Sequence, residues 1–412
     1  MIAATDDIPF ARPFIGASEE EAALRVLRSG WLTTGAEALA FEKEFAEFLA
    51  SRENGAHEGA LKCLAVNSAT SGLHLALEAC GVGPGDFVLV PSLTFAATAE
   101  VARYLGADPV FVDVAPGTFH LDPGALEKAF ARLPKGKAKA VIPVHFGGLS
   151  CDMRVILEIA RAYGAKVIED AAHSFPSFIP NDGGGGGFAG TLADAGVFSF
   201  YATKTITTGE GGMLCSRDPE ILARASIMRC HGIDRSVWNR YSDARASWRY
   251  EVVEAGYKYN MPDILAAIGR AQLSRAWDLL REREEIARAY DEAFAGDERF
   301  VLPPTGPGDA RHLYPLRLGP AAGSTRDDFV QRLKDAGVGA SVHFIPLHAM
   351  PYYRDRYGLR QDDFPETMKS HLSEVSLPIW PGMTGAQVRR VIDASREAVE
   401  INFRKLPRSF RE

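Results

Sequence analysis

No run of 18 apolar residues occurs in this chain, so nothing in it reads as a membrane-spanning helix. The first 13 residues carry Asp6 and Asp7 and lack the basic-then-apolar pattern of a secretory leader. Cysteine is scarce: Cys63, Cys80, Cys151, Cys215 and Cys230 are an odd number, widely spaced and without a C-x-x-C pair, so they read as reduced thiols rather than a disulfide framework. The cytoplasm is the expected location. An excess of positive charge is also missing. Lys plus Arg number 46 against 53 Asp plus Glu, a formal net charge of −7 that ten histidines offset only in part, which argues against a sequence-independent nucleic-acid binder. What is present is ordinary for a globular protein: 46% hydrophobic and 24% charged residues, values that exclude a disordered or fibrous chain. At roughly 150 residues per domain, the length allows two or three packed units, or one large α/β unit and a smaller one.

Ser18 and the glutamates after it predict a capping box ahead of a helix over 22–27, and Phe41, Phe45, Phe48 and Leu49 predict a second helix that packs an N-terminal arm, 1–60, onto the main body. Seven short apolar runs, at 63–66, 87–90, 110–113, 140–145, 166–169, 197–200 and 212–215, alternate with helix-like stretches at 71–80, 95–105, 123–133 and 153–163. Such alternation predicts an α/β fold, a mainly parallel sheet covered on both faces, with ligands gathering at the carboxyl ends of its strands. We assign 61–260 to this large domain, 261–294 to a linking helix, and 295–412 to a small C-terminal α/β domain with strands at 313–318 and 340–344.

Two of the predicted strands end in chemistry. V-I-E-D-A-A-H delivers Asp170 at a strand end, and F-S-F-Y-A-T-K-T-I-T-T-G-E-G-G delivers Lys204 past another. Pyridoxal 5'-phosphate (PLP) needs this combination: an amine for a Schiff base, a carboxylate to keep the pyridine nitrogen protonated, and donors for its phosphate. N-S-A-T-S-G, containing Ser68, Ala69 and Thr70, follows a strand and opens a helix, where amides and the helix dipole favour an anion. Ser199 offers a further hydroxyl. Phe95, in P-S-L-T-F, falls where an aromatic face can cover a flat heterocycle.

These motifs, with Y-K-Y-N-M-P-D, G-W-L-T-T-G, S-V-H-F-I-P-L-H and Leu377-Pro378, occur in one order over about residues 9–400, and in that order the chain resembles the DegT/DnrJ-type PLP-dependent sugar aminotransferases. The resemblance implies a fold type I enzyme, with a seven-stranded large domain and a small C-terminal one, working as a homodimer with its sites at the subunit interface. It implies Lys204 as the Schiff-base lysine, Asp170 as partner of the pyridinium, Phe95 stacked on the ring, Thr70 and Ser199 on the phosphate, and Asn260 reaching the neighbouring subunit's phosphate. His173 stands where the family often has Gln and is expected near the cofactor's phenolic oxygen, its protonation state open. Trp31, Thr33, Thr34, Arg229, His231, His343 and His348 are the expected substrate contacts. The implied reaction carries an amino group from an amino acid, most often L-glutamate, to a nucleotide-linked 4-keto or 3-keto sugar, giving an amino sugar and 2-oxoglutarate.

Each residue has a blander use. Asp170 could cap a helix, Ser68 could be a plain N-cap, Phe95 could be core, and Asn260 a turn residue. The glycine run 183–187 leads into a G-x-G-x-x-G decoy, but prolines and polar residues precede it where a strand is required, so a flexible surface loop is expected there. His343 and His348 flank Pro346 at a spacing unlike a helical metal pair, and no metal is expected. Three rival activities share the motifs: transamination of a keto-cyclitol, a PLP sugar dehydratase, in which histidine usually replaces the lysine, and a PLP-binding sensor without turnover.

Overall fold

The computed structural model describes residues 7–52, 59–180, 186–234 and 250–399. Helix α1 (Ala17–Ser29) is capped two residues before the predicted position, Ser18. Its N-cap is Gly16, whose amide donates to Glu19 Oε2 at 2.7 Å, so the carboxylate closes the box while Ser18 lies inside the first turn. Helix α2 (Ala36–Ala50) is capped from far along the chain: Asp263 Oδ1 accepts the amides of Gly35 (2.7 Å) and Ala38 (3.0 Å). Phe41, Phe45 and Leu49 recur at helical spacing and are fully buried.

The main body runs β1 (Lys62–Val66), α3 (Ala69–Ala79), β2 (Phe87–Pro91), α4 (Ala96–Tyr104), β3 (Asp108–Val112), α5 (Pro123–Arg132), β4 (Ala138–Val141), α6 (Met153–Tyr163), β5 (Lys166–Asp170), β6 (Phe178–Pro180), β7 (Gly186–Phe188), β8 (Ala195–Ser199), β9 (Gly212–Ser216) and α7 (Pro219–Met228). Seven of these strands form one sheet in the order β1-β9-β8-β5-β4-β2-β3, in which β9 runs antiparallel to both neighbours and the other pairs are parallel. Apolar clusters cover it on both sides, with α3, α4 and α7 on one face and α2, α5 and α6 on the other. The strand expected at 110–113 starts at Asp108 instead. Pro109 is tolerated because β3 is an edge strand. The run 140–145 ends as a strand at Val141, since Pro143 has no N–H to donate.

The linking segment is two helices rather than one. α8 (Asp263–Leu273) packs on α1 and α2, and α9 (Ala276–Phe294) turns its buried face, Ile286, Ala287, Tyr290 and Phe294, into a second core. Between them Arg275 leaves helical geometry at φ −119° and ψ 16°. That second core gathers β10 (Phe300–Val301), β11 (Tyr314–Leu318), α10 (Arg326–Asp335), β12 (Glu374–Leu377) and α13 (Gly385–Val399), while α11 (Pro351–Tyr357) and α12 (Pro365–Ser373) reach toward the large sheet and β11. β10, β11 and β12 form their own antiparallel sheet. The strand expected at 340–344 is reduced to a single bridge from Ser341 to Ser376. Ile8 also joins this core, exchanging backbone hydrogen bonds with Gly337 and Gly339, so the N-terminal arm touches both units rather than the main body alone.

The glycine run departs from the expected loop. Residues 183–185 lie outside the described residues, but Gly186 and Gly187 are buried in a hairpin with Phe178–Pro180. Just beyond, Gly190 adopts φ +100°, and a Cβ there would lie 2.5 Å from the Phe198 ring. Its amide donates to Glu169, a fully buried carboxylate beside Asp170 that accepts four hydrogen bonds: from His145 Nε2 (2.8 Å), Gly190 N (2.8 Å), Leu192 N (2.7 Å) and Ala193 N (2.9 Å). Those bonds pin the end of β5. Glu169→Gln sets an NH2 group against N–H donors and is expected to destabilise the fold by about 3 kcal/mol, read as a lower denaturation midpoint; an unchanged midpoint contradicts this role.

Candidate active site

The carboxyl ends of β1, β2, β5 and β8 open together on a cavity of about 470 Å³. Asp170 reaches it from the last residue of β5, with only 6% of its surface exposed. Thr98 Oγ1 donates to Asp170 Oδ2 at 2.9 Å and the Ala172 amide to Oδ1 at 3.2 Å. Burial raises this carboxyl above its usual range, against the pull of Thr98, Ala172 and the positive charge of Lys204. Lys204 lines the same cavity from the turn after β8, its Nζ 3.5 Å from His312 Nε2. Burial lowers its amine to about 7; Asp170 opposes the shift and Arg283 adds to it. A lysine so poised is in part a free amine near neutrality, which a nucleophile must be.

The anion-binding end forms where α3 begins. Ser68 Oγ accepts the Ser71 amide at 3.1 Å as N-cap, and Ser68, Ala69 and Thr70 line the cavity with Ser199. Gly212 on β9 permits this approach, since a Cβ there would sit 2.7 Å from Ala69 N. Phe95, the residue before α4, is 61% exposed with its ring on the cavity, a position that suits covering a flat ring and not core packing.

His173 is a buried part of the cavity wall, where the Gly147 amide donates to its Nδ1 at 3.3 Å. That bond assigns the proton to Nε2, and burial together with Lys204 and His343 keeps the ring neutral. His312, which faces Lys204, escaped the sequence reading. It precedes β11 in a run with no motif, and its meeting with Lys204 and His173 exists only across the fold. His343 lines the cavity as expected.

Several expected substrate contacts lie elsewhere. Arg229 is held by Glu42 and by the Ala65 carbonyl (2.9 Å), so its guanidinium is committed behind β1. His348 is fully buried, bonded to Ser92 Oγ and stacked on Phe364 at 4.3 Å, where it fastens the 346–348 segment to the end of β2. His231 is exposed at φ 63° and does not line the cavity. Trp31, Thr33, Thr34 and Asn260 form a group off the cavity, with Asn260 Nδ2 donating to Thr34 Oγ1 at 2.6 Å and Trp31 Nε1 to the Thr34 carbonyl at 3.3 Å. Among the described residues, no three His, Cys, Asp or Glu side chains converge as metal ligands.

A buried carboxylate facing an amine of lowered basicity, beside a helix N-terminus and under an exposed aromatic ring, is a donor set that fits PLP. The profile of the DegT/DnrJ/EryC1/StrS aminotransferase family matches residues 13–396. This chain belongs to that family. It is 42% identical over 398 residues to the spore coat polysaccharide biosynthesis protein SpsC of Bacillus subtilis (strain 168), covering 95% of this chain and 97% of the relative. It is 35% identical over 400 residues to the UDP-4-amino-4-deoxy-L-arabinose–oxoglutarate aminotransferase of Shewanella sediminis (strain HAW-EB3), covering 95% and 98%. Its fold matches the PLP form of the sugar aminotransferase Spr1654 of Streptococcus pneumoniae with a TM-score of 0.82 at 30% identity, over 95% of this chain and 98% of that one. The DegT/DnrJ/EryC1/StrS chain described here is therefore a fold type I, PLP-dependent sugar aminotransferase. No helix among the described residues is long and apolar enough to cross a membrane.

Capture of PLP by the cofactor-free protein should accelerate as pH rises through about 7, where Lys204 loses its proton, as followed by the Schiff-base absorbance. A half-point near the ordinary lysine value of about 10.4 contradicts the buried, lowered amine.

Proposed function

We propose that this enzyme moves the amino group of an amino acid, L-glutamate, onto the 4-keto or 3-keto carbon of a nucleotide-linked sugar, giving an amino sugar and 2-oxoglutarate. The observation that carries the reading is the presentation of Lys204 and Asp170 to one cavity from neighbouring parallel strands. The activity for which the Shewanella relative is named, a UDP-linked amino sugar paired with oxoglutarate, supports this choice of donor and acceptor.

Bound PLP supplies an aldehyde carbon and an electron sink that carry the amino group between the two substrates. With PLP bound, Lys204 Nζ would hold its aldehyde carbon and, when freed by the donor, would move the donor's α-proton to the cofactor, the same amine moving a proton in the reverse direction on the acceptor side. Asp170 keeps a proton on the ring nitrogen. Burial works against the ionised form that this task needs, and Thr98, Ala172 and Lys204 favour it, with Thr98 and Ala172 holding the two oxygens in place. His173 offers Nε2–H to the cofactor's phenolic oxygen. Ser68, Ala69, Thr70 and Ser199 receive the phosphate, and Phe95 covers the ring.

The enzyme acts as a homodimer in the cytoplasm. Trp31, Thr33, Thr34 and Asn260 stand off this chain's own cavity, a placement that supports their serving the partner's site. His343 contacts the sugar from the small unit, and His231 reaches substrate only within the dimer.

Borohydride reduction of the holoenzyme should place the label on the peptide containing Lys204, and Lys204→Ala should abolish it. Glutamate should bleach the Schiff-base band with stoichiometric 2-oxoglutarate, and a nucleotide-linked keto-sugar should restore it. Asp170→Asn should slow the first half-reaction by roughly 10²–10³-fold. Label on another peptide, or restoration by a keto-cyclitol alone, would overturn the proposal.

A further inference from the structure

Behind one wall of the cavity lies a carboxylate with no ion-pair partner among the described residues. Glu374, the first residue of β12, is 1% exposed. Its Oε2 accepts the backbone amide of His343 at 2.9 Å, and its Oε1 is bonded to Ser376 Oγ. Ser376, itself fully buried, also bonds His343 Nδ1 at 2.9 Å, and the bridge between Ser341 and Ser376 holds the two segments together. A continuous hydrogen-bonded chain therefore runs from a buried carboxylate, through one hydroxyl, to an imidazole on the cavity wall.

A single hydroxyl has one proton to give, so this chain has two polarities. With Glu374 ionised, Ser376 donates to Oε1, His343 Nδ1–H donates to Ser376, and Nε2 is left as an acceptor. With Glu374 protonated on Oε1, the one oxygen not taken by the His343 amide, every bond reverses and Nε2 carries the proton. We propose that His343, Ser376 and Glu374 form a proton relay that opens on the cavity at His343 Nε2 and takes up a proton from the ammonium group of the arriving amino donor. The proposal rests on the aminotransferase reading above.

The protons balance: one passes from the donor nitrogen to Nε2, one from Nδ1 to Ser376 Oγ, and one from Ser376 to Glu374 Oε1. The donor is left with the lone pair it needs as a nucleophile, and the imidazole stays neutral throughout. Neutrality matters here. Burial and the charge of Lys204 push His343 down to about 3, so the ring alone is a poor base, whereas burial pushes Glu374 up to about 8 against Ser376, the His343 amide and Arg326 on α10. The other imidazoles on the cavity cannot substitute: His173 Nδ1 already accepts the Gly147 amide and its Nε2 is protonated, and His312 Nε2 faces Lys204. Among the lining histidines, Nε2 of His343 is the acceptor left to a substrate.

The test is ¹⁵N NMR of ring-labelled histidine in the holoenzyme, alongside the rate at which glutamate bleaches the cofactor band. His343 Nε2 should be protonated below about pH 8 and unprotonated above it, and the bleaching rate should rise through the same midpoint. In Glu374→Gln the amide donates permanently toward Ser376, so Nε2 should stay protonated at every pH and bleaching should slow roughly 10²-fold. Borohydride labelling of Lys204 should be unchanged in that variant. Ser376→Ala, which removes only one oxygen, should abolish the tautomer switch should Glu374→Gln prove unstable. An Nε2 protonation state constant from about pH 6 to 9 in the parent enzyme, or parent rates and pH profile in Glu374→Gln, overturns the relay. Failure of the parent to bleach with any amino donor would instead sink the aminotransferase reading, which the NMR titration does not depend on.

Discussion

A negative charge held away from water opposite an amine is the constraint around which this molecule is arranged. Asp170 and Lys204 face one cavity because β5 and β8 are adjacent and parallel, with Asp170 in register with Val197, so both strands deliver their carboxyl ends to the same edge of the sheet. An isolated carboxylate in that position would take up a proton and lose its charge. Thr98, the Ala172 amide and Lys204 oppose that outcome, and the neighbouring Glu169 spends its own four hydrogen bonds fixing the strand end.

Beyond Asp170, Lys204 and the carboxylate of Glu210, the cavity lining is kept free of charge. His173, His312 and His343 are all held neutral by burial and by Lys204, so cationic character is concentrated on the lysine and on the buried Arg283 behind it. Arg283 donates to the carbonyls of His312 and Ile379 and has no ion-pair partner among the described residues. Three imidazoles in one cavity would be mutually repulsive if charged. Neutral, they act as donors or acceptors according to what binds the other ring nitrogen: an amide for His173, a hydroxyl relay for His343.

Most of the fold was legible from local pattern. The seven strands of the main sheet and α6 lie close to where apolar runs and helical spacing place them, because each element is specified by its own residues and by burial on two faces. Lys204, Asp170, Ser68 to Thr70, Phe95 and Ser199 stood out because each ends a strand or lies in the turn after one, and strand ends define the cavity, whereas His173 stood out only through the family resemblance. What escaped depends on contacts between distant segments. His312 precedes β11 with no motif of its own, and the partners of His343 lie 31 and 33 residues away on β12. Arg229 and His348 looked available in the sequence because Glu42, Ser92 and Phe364, which occupy them, are remote in the chain. The continuous helical pattern over 262–294 hid the break at Arg275, since nothing in composition shows that its two halves pack on different cores.

The central claim is that Asp170 keeps its ionised form available to a heterocyclic nitrogen inside this cavity. Holoenzyme reconstituted with PLP carrying ¹⁵N in the pyridine ring tests it directly. The ring nitrogen should show the chemical shift of a protonated pyridinium, with its proton retained from about pH 6 to 9, well above the ordinary range of the free heterocycle. A shift characteristic of an unprotonated pyridine at neutral pH would contradict the account.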